Sequence, residues 1–278
     1  MPRDYGQNNK RFRGVEMLGA IVGDVVGSIY EFDNIRRKEF LLFSKNCFFT
    51  DDSAMTMAVA LALVKTKKSG FKNLEKETIK MMQKFGKIYP DLSYGSSFKK
   101  WLKIKNPPYG DSYGNGAAMR VGAVAYFAKS LDEVKKLSHQ VTVVSHGHPE
   151  GIKGAEATAV ATWLALQGKT KEEIKNHIEE NYYKLDFDYE TLKEKYYFNE
   201  TCQNTVPQAL YCFLISTDFE DCLRTSVSIG GDTDTLCAIS CGVAEAFYGI
   251  PQDVQEKTKA YLDKRMLKGY EKFLKAIK

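Results

Sequence analysis

Two clusters, Thr50-Asp51-Asp52 and Asp232-Thr233-Asp234-Thr235, lie far apart in this 278-residue chain. Each opens an apolar helical pattern, the second directly after Gly230-Gly231. Packed carboxylates repel one another, so a folded chain keeps them together where something cationic neutralises them. If the two helix starts meet in space, an early and a late part of the chain must build one site. The oxygen-only donor set suits Mg²⁺, Mn²⁺ or Ca²⁺ rather than structural zinc, and its size suits two ions with bridging carboxylates. Capping by Asp or Thr explains one residue per helix start, but not two adjacent aspartates and a D-T-D-T string.

The apolar spacing is mainly helical. Leu18, Ile21, Val22, Val25 and Ile29 recur at three- and four-residue steps, and Met55, Val59, Leu63 and Val64 continue a helix from Asp52 to the lysines before Gly70. Further helices are expected over Ala117–Ala128, over Glu150–Leu166 between Pro149 and Gly168, and over Leu236–Tyr248 before Gly249. One or two amphipathic helices fill Gln252–Ile277. Val141–Val144 reads as a short strand or a helix end. Gly19, Gly23 and Gly27 give the first helix a smooth face, which lets a partner approach closely. The late acidic helix is small-sided too, through Ala238, Cys241, Gly242, Ala244 and Ala246, so the two are expected to pack near the site. The expectation is all-α: one compact orthogonal helical domain with a central dinuclear metal cleft, residues 14–278, after a tail of residues 1–13. The aromatic stretch from Tyr182 to Phe198 is expected to be core or the wall of a ligand cleft.

A net charge of +5 comes from scattered lysines, a solvated surface rather than a nucleic-acid footprint. The polar N-terminus has no signal-peptide pattern, and the run from Leu18 to Ile29 is too short to span a bilayer, so a cytoplasmic protein is expected. None of the six cysteines forms a C-x-x-C pair; Cys237 and Cys241 read as small core residues.

Four other features bear on chemistry. Asp24 and Glu31 lie seven apart on the first helix and so are expected to share a face; Glu31 reads as a surface acid or as a carboxylate aimed into a cleft. Ser112-Tyr113-Gly114-Asn115-Gly116, ahead of Arg120, reads as a plain tight turn or a phosphate cradle, without the Lys of a Walker loop. His146-Gly147-His148 lacks a third zinc ligand and reads as hydrogen-bonding residues at a helix start. Asp232-Thr233-Asp234-Thr235 also matches the D-x-D-x-T string of haloacid-dehalogenase-like phosphohydrolases, which should follow a buried strand early in an α/β domain.

Taken in order, Gly23–Glu31, Thr50–Ser53, Ser112–Arg120, Ser145-His146 and Gly230–Thr235 resemble the ADP-ribosylglycohydrolase family, in particular its short bacterial and phage members. That family includes dinitrogenase-reductase-activating glycohydrolase and the metal-dependent ADP-ribosyl-acceptor hydrolases. The resemblance implies two Mg²⁺ or Mn²⁺ ions held by Thr50, Asp51, Asp52, Asp232, Asp234 and Thr235. It implies Glu31 and Asp232 as catalytic carboxylates, with Glu31 on a mobile segment after the first helix and Asp33–Ser44 as a lid. Ser112, Tyr113, Gly114, Asn115 and Gly116 would line the diphosphate and ribose path, and His146 would contact the ADP part. The implied partners are ADP-ribose and an ADP-ribosylated substrate, a protein modified on arginine by analogy with bacterial relatives. Serine-linked, nucleic-acid-linked and O-acetyl-ADP-ribose are alternatives, as is a non-catalytic ADP-ribose binder. Neither a membrane nor a nucleic-acid partner is expected, and the chain is expected to be a monomer.

Overall fold

The computed structural model describes residues 16–278; the expected N-terminal tail and the start of the expected domain lie outside the described residues. Fourteen α-helices and no strand occur among them. The fold is all-α. The helices are α1 (Gly19–Gly27), α2 (Asp51–Thr66), α3 (Leu74–Ile88), α4 (Ser96–Trp101), α5 (Val124–Phe127), α6 (Leu131–Thr142) and α7 (Pro149–Leu166). They continue with α8 (Lys171–Asn181), α9 (Tyr189–Lys195), α10 (Cys202–Ile215), α11 (Phe219–Ser228), α12 (Thr233–Tyr248), α13 (Gln252–Lys259) and α14 (Lys264–Ile277). No helix among the described residues is long and apolar enough to cross a membrane.

The organising contact joins α1 to α12, the most extensive helix pair in the protein. The three glycines of α1 face the α12 backbone. A Cβ on Gly27 would lie 2.6 Å from the Asp234 Cα, and one on Gly19 would lie 2.7 Å from the Glu245 Cβ. No larger residue fits without separating the helices. The seam is also polar at both ends. Thr233 donates its hydroxyl to the Gly27 carbonyl at 2.9 Å. At the other end, the buried Glu245 accepts from the backbone N–H groups of Glu16 (2.6 Å) and Gly19 (2.5 Å). Leu18, at the cap position of α1, makes no side-chain cap bond, so α12 caps α1 across the fold. Burial pushes the Glu245 carboxyl up to about 7, against the pull of those N–H donors.

All six cysteines are buried and unbridged, as expected of core residues. The expected α7 and α12 form, and the tail splits into α13 and α14. Val141-Thr142 ends α6, with Val143 just beyond, rather than forming a strand.

Two expectations are corrected. The first helix stops at Gly27 rather than Ile29, so Asp24 and Glu31 share no helix face. The expected helix over Ala117–Ala128 is a 3₁₀ turn (Asn115–Ala117), a run of turns and the short α5. Its side chains are committed elsewhere. Asn115 reaches Asp232 at 2.7 Å, and Arg120, 1% exposed, is tied to Ser145. These tertiary bonds and Gly122 outweigh local helix propensity.

Candidate active site

The two acidic clusters meet. Asp51 and Asp52 form the first turn of α2; Asp232 sits at the cap position of α12 and Asp234 in its first turn. Gly230 and Gly231 make the turn between α11 and α12 at φ of 70° and 79°, the left-handed region that favours glycine. All four aspartates line one cleft of about 240 Å³, together with Glu31 and Thr235. Carboxylate oxygens of Glu31, Asp232 and Asp234 lie within 4.8 Å of one another.

Asp24 braces the cluster from behind. It is fully buried, outside the cleft lining, and accepts four hydrogen bonds. The donors are the Thr50 N–H (2.9 Å), the Thr50 hydroxyl (2.7 Å), the Ser53 N–H (3.0 Å) and the Ser53 hydroxyl. These bonds fix the first turn of α2. Burial still raises Asp24 to about 6. Thr50 gives its proton to Asp24 and accepts from the Asp52 N–H at 3.2 Å, which leaves one hydroxyl lone pair free. It is buried and does not line the cleft.

Burial and neighbouring carboxylates push Glu31, Asp51, Asp52 and Asp234 upward. Asp51 rises to about 7, through burial and then Asp24; Glu31 rises to about 7, through burial and then Asp232. Burial, joined by the surrounding aspartates, raises Asp52 and Asp234 well above the usual carboxylate range. Among the described residues, no Lys or Arg forms an ion pair with Asp24, Glu31, Asp51, Asp52, Asp232 or Asp234. Asp52 Oδ1 is buried without a hydrogen-bond partner. Buried oxygens in mutual repulsion, one of them orphaned, fit a hard divalent cation.

The cleft continues along the glycine loop. Ser112, Gly114, Asn115, Gly116 and His146 line it; Tyr113 does not, and stands half-exposed with its ring 5.2 Å from His148. Two isolated bridges, Asp111 to His146 and Gly114 to Thr201, hold the loop. Asn115 joins the two halves of the site through its bond to Asp232.

His146 is locked by its surroundings. Arg120 donates to the Ser145 hydroxyl at 2.7 Å and lies 3.1 Å from His146 Nδ1. A guanidinium only donates, so Nδ1 must accept. Burial, with the Arg120 charge, holds His146 well below its ordinary pKa and hence neutral. Its single proton therefore sits on Nε2. That atom would be 3.3 Å from a Cβ at Gly116, so the N–H faces the glycine loop.

The Asp33–Ser44 segment is strapped down. Asn34 bonds both Gly231 backbone groups, at 3.0 and 2.7 Å; Arg36 reaches the carbonyls of Ile229 and Tyr196; and Lys38 pairs with Asp221 at 2.8 Å. The aromatic stretch divides: Tyr196 is buried against Gly231, whereas Tyr197 and Phe198 are exposed. Sequence reasoning missed several lining residues, Phe98, Met119 and Glu200 among them. Phe98 and Glu200 carry no local motif, and Met119 entered only as part of the Ser112–Arg120 stretch. Arg120 was visible only as part of the loop-to-helix run.

The family model for ADP-ribosylglycohydrolase matches residues 6–276. This chain belongs to the ADP-ribosylglycohydrolase family. It is a glycosidic-bond hydrolase, with the acidic cleft at the meeting point of α2 and α12. ADP-ribosylhydrolase ARH3 of Homo sapiens is 28% identical over 340 residues, covering 90% of this chain and 90% of the relative. ARH3 of Mus musculus is 28% identical over 325 residues, covering 87% and 85%. A solved structure titled "ADP-ribosylglycohydrolase-related protein complex" has the same fold, with a TM-score of 0.71, 22% identity, and coverage of 94% and 95%.

Proposed function

We propose that residues 14–278 form one metal-dependent domain that hydrolyses the bond between the ribose of ADP-ribose and an acceptor. The observation that carries this reading is the convergence of Asp51, Asp52, Asp232 and Asp234 on one cleft with a buried, unpartnered oxygen. Asp51, Asp52, Asp232, Asp234 and Thr235 are the proposed ligands, and Thr50, through its remaining lone pair, is the proposed sixth. Two divalent ions, Mg²⁺ or Mn²⁺, would supply positive charge and Lewis acidity at the ribose.

The chain's own residues divide the remaining work. Glu31 stands beside Asp232 and Asp234 and is the candidate to hold or deliver the proton at the scissile bond. Asp232 is the second catalytic carboxylate, held in orientation by Asn115. Carboxylates at this point also stabilise oxocarbenium character as the glycosidic bond breaks. The His146 Nε2–H would donate toward the ADP part, along a path lined by Ser112, Gly114, Asn115 and Gly116. Tyr113, half-exposed beside the loop, would cover the ligand from outside.

Arginine as acceptor rests on analogy with bacterial family members, and the vertebrate relatives add no support for it. A panel decides. Chain saturated with Mg²⁺ is incubated with arginine-linked, serine-linked and nucleic-acid-linked ADP-ribose and with O-acetyl-ADP-ribose. Free ADP-ribose from at least one substrate is expected. Release from none, with ligand recovered intact, would favour a binder. The phosphohydrolase alternative lacks its strand, since none occurs among the described residues. An aspartyl-phosphate trapped at Asp232 would revive it.

A further inference from the structure

Positive charge is concentrated in one part of the chain. Residues 65–105 hold twelve lysines and three acids, a net charge of +9 in a chain whose total is +5, so the remainder is net negative. The net charge of the whole chain conceals this concentration, which is why its lysines read as a scattered, solvated surface. One row is regular. Lys76, Lys80, Lys84 and Lys87 follow at four- and three-residue steps along α3, opposite its buried positions Leu74, Thr78, Met81, Met82 and Phe85. Lysines four residues apart stand roughly 6 Å apart along the helix axis. Among the described residues, Lys76, Lys84 and Lys87 form no ion pair. Lys80 lies 3.7 Å from Glu77, which Lys65 already pairs at 2.6 Å. Like charges at this spacing destabilise a helix, and a bound polyanion removes that cost.

Beside the row lies a cavity of about 420 Å³, in the size range of small-ligand sites, which shares no lining residue with the acidic cleft. Lys76 and Lys80 line it from α3, and Pro107 and Tyr109 from the segment after α4. The Tyr109 ring is 53% exposed, and its hydroxyl donates to Glu75, which fixes the ring at the cavity. Amide side chains line it as well. Gln83 is spent on the Ile104 carbonyl at 2.7 Å. Two others are not committed: Asn73 stands at the cap position of α3 without capping it, and Gln140 Oε1 is buried without a partner. Cations, an aromatic ring and uncommitted amides in one cavity suit a ligand that combines phosphate, a flat ring and a hydrogen-bonding edge.

We propose that this face binds a single strand of nucleic acid, with one base in the cavity against Tyr109 and the flanking phosphates along the α3 lysines. The lysine row extends past the cavity to Lys84 and Lys87, further than one nucleotide needs. A duplex keeps its bases stacked inside, whereas a strand can turn one out onto an aromatic ring. A lipid surface supplies the negative charge but no flat group for the amides to meet. The site is separate from the acidic cleft, so it does not depend on the hydrolase reading.

The test titrates the full chain, with Mg²⁺ and excess ADP-ribose, against a fluorescein-labelled oligothymidylate and reads anisotropy at several salt concentrations. Saturable binding that ADP-ribose does not displace is expected, weaker for the same strand in a duplex. Lys76→Gln/Lys80→Gln should weaken it and lower the slope of log K against log salt by about 1.4, the share of two phosphates on a single strand. Tyr109→Ala should weaken it about tenfold, through lost base stacking, and leave the slope unchanged. Lys184→Gln/Lys257→Gln, outside the basic segment, should change neither. Melting temperatures on the same samples establish that the variants are folded. Absence of binding at low salt overturns the proposal, as does wild-type affinity in the folded Lys76→Gln/Lys80→Gln protein. Displacement by ADP-ribose would place the strand in the acidic cleft and overturn it too. Binding to vesicles of anionic phospholipid in preference to the strand would overturn it in favour of a membrane.

Discussion

Gly27→Ala tests whether the α1–α12 seam sets the geometry of the acidic site. The new Cβ would lie 2.6 Å from both the Asp234 Cα and the Thr233 carbonyl oxygen. Both are backbone atoms, so no rotamer change relieves the clash. Reaching ordinary contact takes a separation of about 0.8 Å at the helix end that carries Asp234. Alanine returns about 1 kcal/mol of helix propensity. Overpacking costs about 1–3 kcal/mol. The net loss of stability is therefore about 0–2 kcal/mol, a few degrees in Tm, and the fold survives. Function should suffer more. A misplacement of about 1 Å in a catalytic group costs about a hundredfold in rate. We expect kcat/KM to fall by about that factor and Mn²⁺ affinity to drop with it. Gly19→Ala is the control. It meets Glu245 and the Cys241 backbone at the far end of the same seam, and should cost stability with a smaller kinetic effect. Calorimetry, Mn²⁺ titration and steady-state kinetics on the three proteins make the comparison. Folded Gly27→Ala protein with wild-type kcat/KM would refute the idea that this seam positions Asp234.

Other outcomes follow from the same electrostatics. Folding raises Asp24 to about 6 and Asp51 and Glu31 to about 7, so their contribution to the stability of chelated protein is present below about pH 4 and lost as pH rises through 6 to 7. The Tm of chelated protein should therefore fall between pH 5 and 8 (roughly the span of these shifts); a flat or rising profile would contradict it. Mn²⁺ at about one hundred times its Kd should return about 2.7 kcal/mol at the alkaline end, read as a Tm increase over the EDTA sample. Nitrogen-15 spectra should show His146 as the neutral Nε2–H tautomer across pH 5–8 (about the range in which an ordinary histidine titrates), and Arg120→Met should disturb that signature. His146→Ala should raise KM for ADP-ribosyl substrates by roughly tenfold to a hundredfold, the worth of one hydrogen bond to a charged group; an unchanged KM would remove His146 from the ADP path.

Much of this fold was legible because its signals are local. Paired aspartates at helix starts, Pro149 at the head of α7 and Gly249 at the foot of α12 are short-range patterns. The glycine spacing of α1 also pointed to its close partner. What escaped depends on distant partners. The apolar spacing that runs on to Ile29 reads as a helix carrying Asp24 and Glu31 on one face, whereas α1 stops at Gly27, whose carbonyl accepts from the Thr233 hydroxyl. Glu245 looks like an ordinary acid until its cap on Gly19 is seen. The Asn115–Arg120 run lost its helix to bonds with Asp232, Ser145 and His146. One missed element had a readable cue: Thr170 and Glu173 form a capping box at the start of α8. Phe98 and Glu200 reach the cleft only through the tertiary fold.

The central claim is that both acidic clusters serve one metal-dependent glycosidic hydrolysis. Release of ADP-ribose tests it most directly, measured on chelated protein before and after Mg²⁺ or Mn²⁺ is restored, with Asp51→Asn/Asp232→Asn protein alongside. Release should be absent in chelator, return with the metal, and stay absent in the double variant. Undiminished release in chelator, or full activity of the double variant with metal, would contradict the claim.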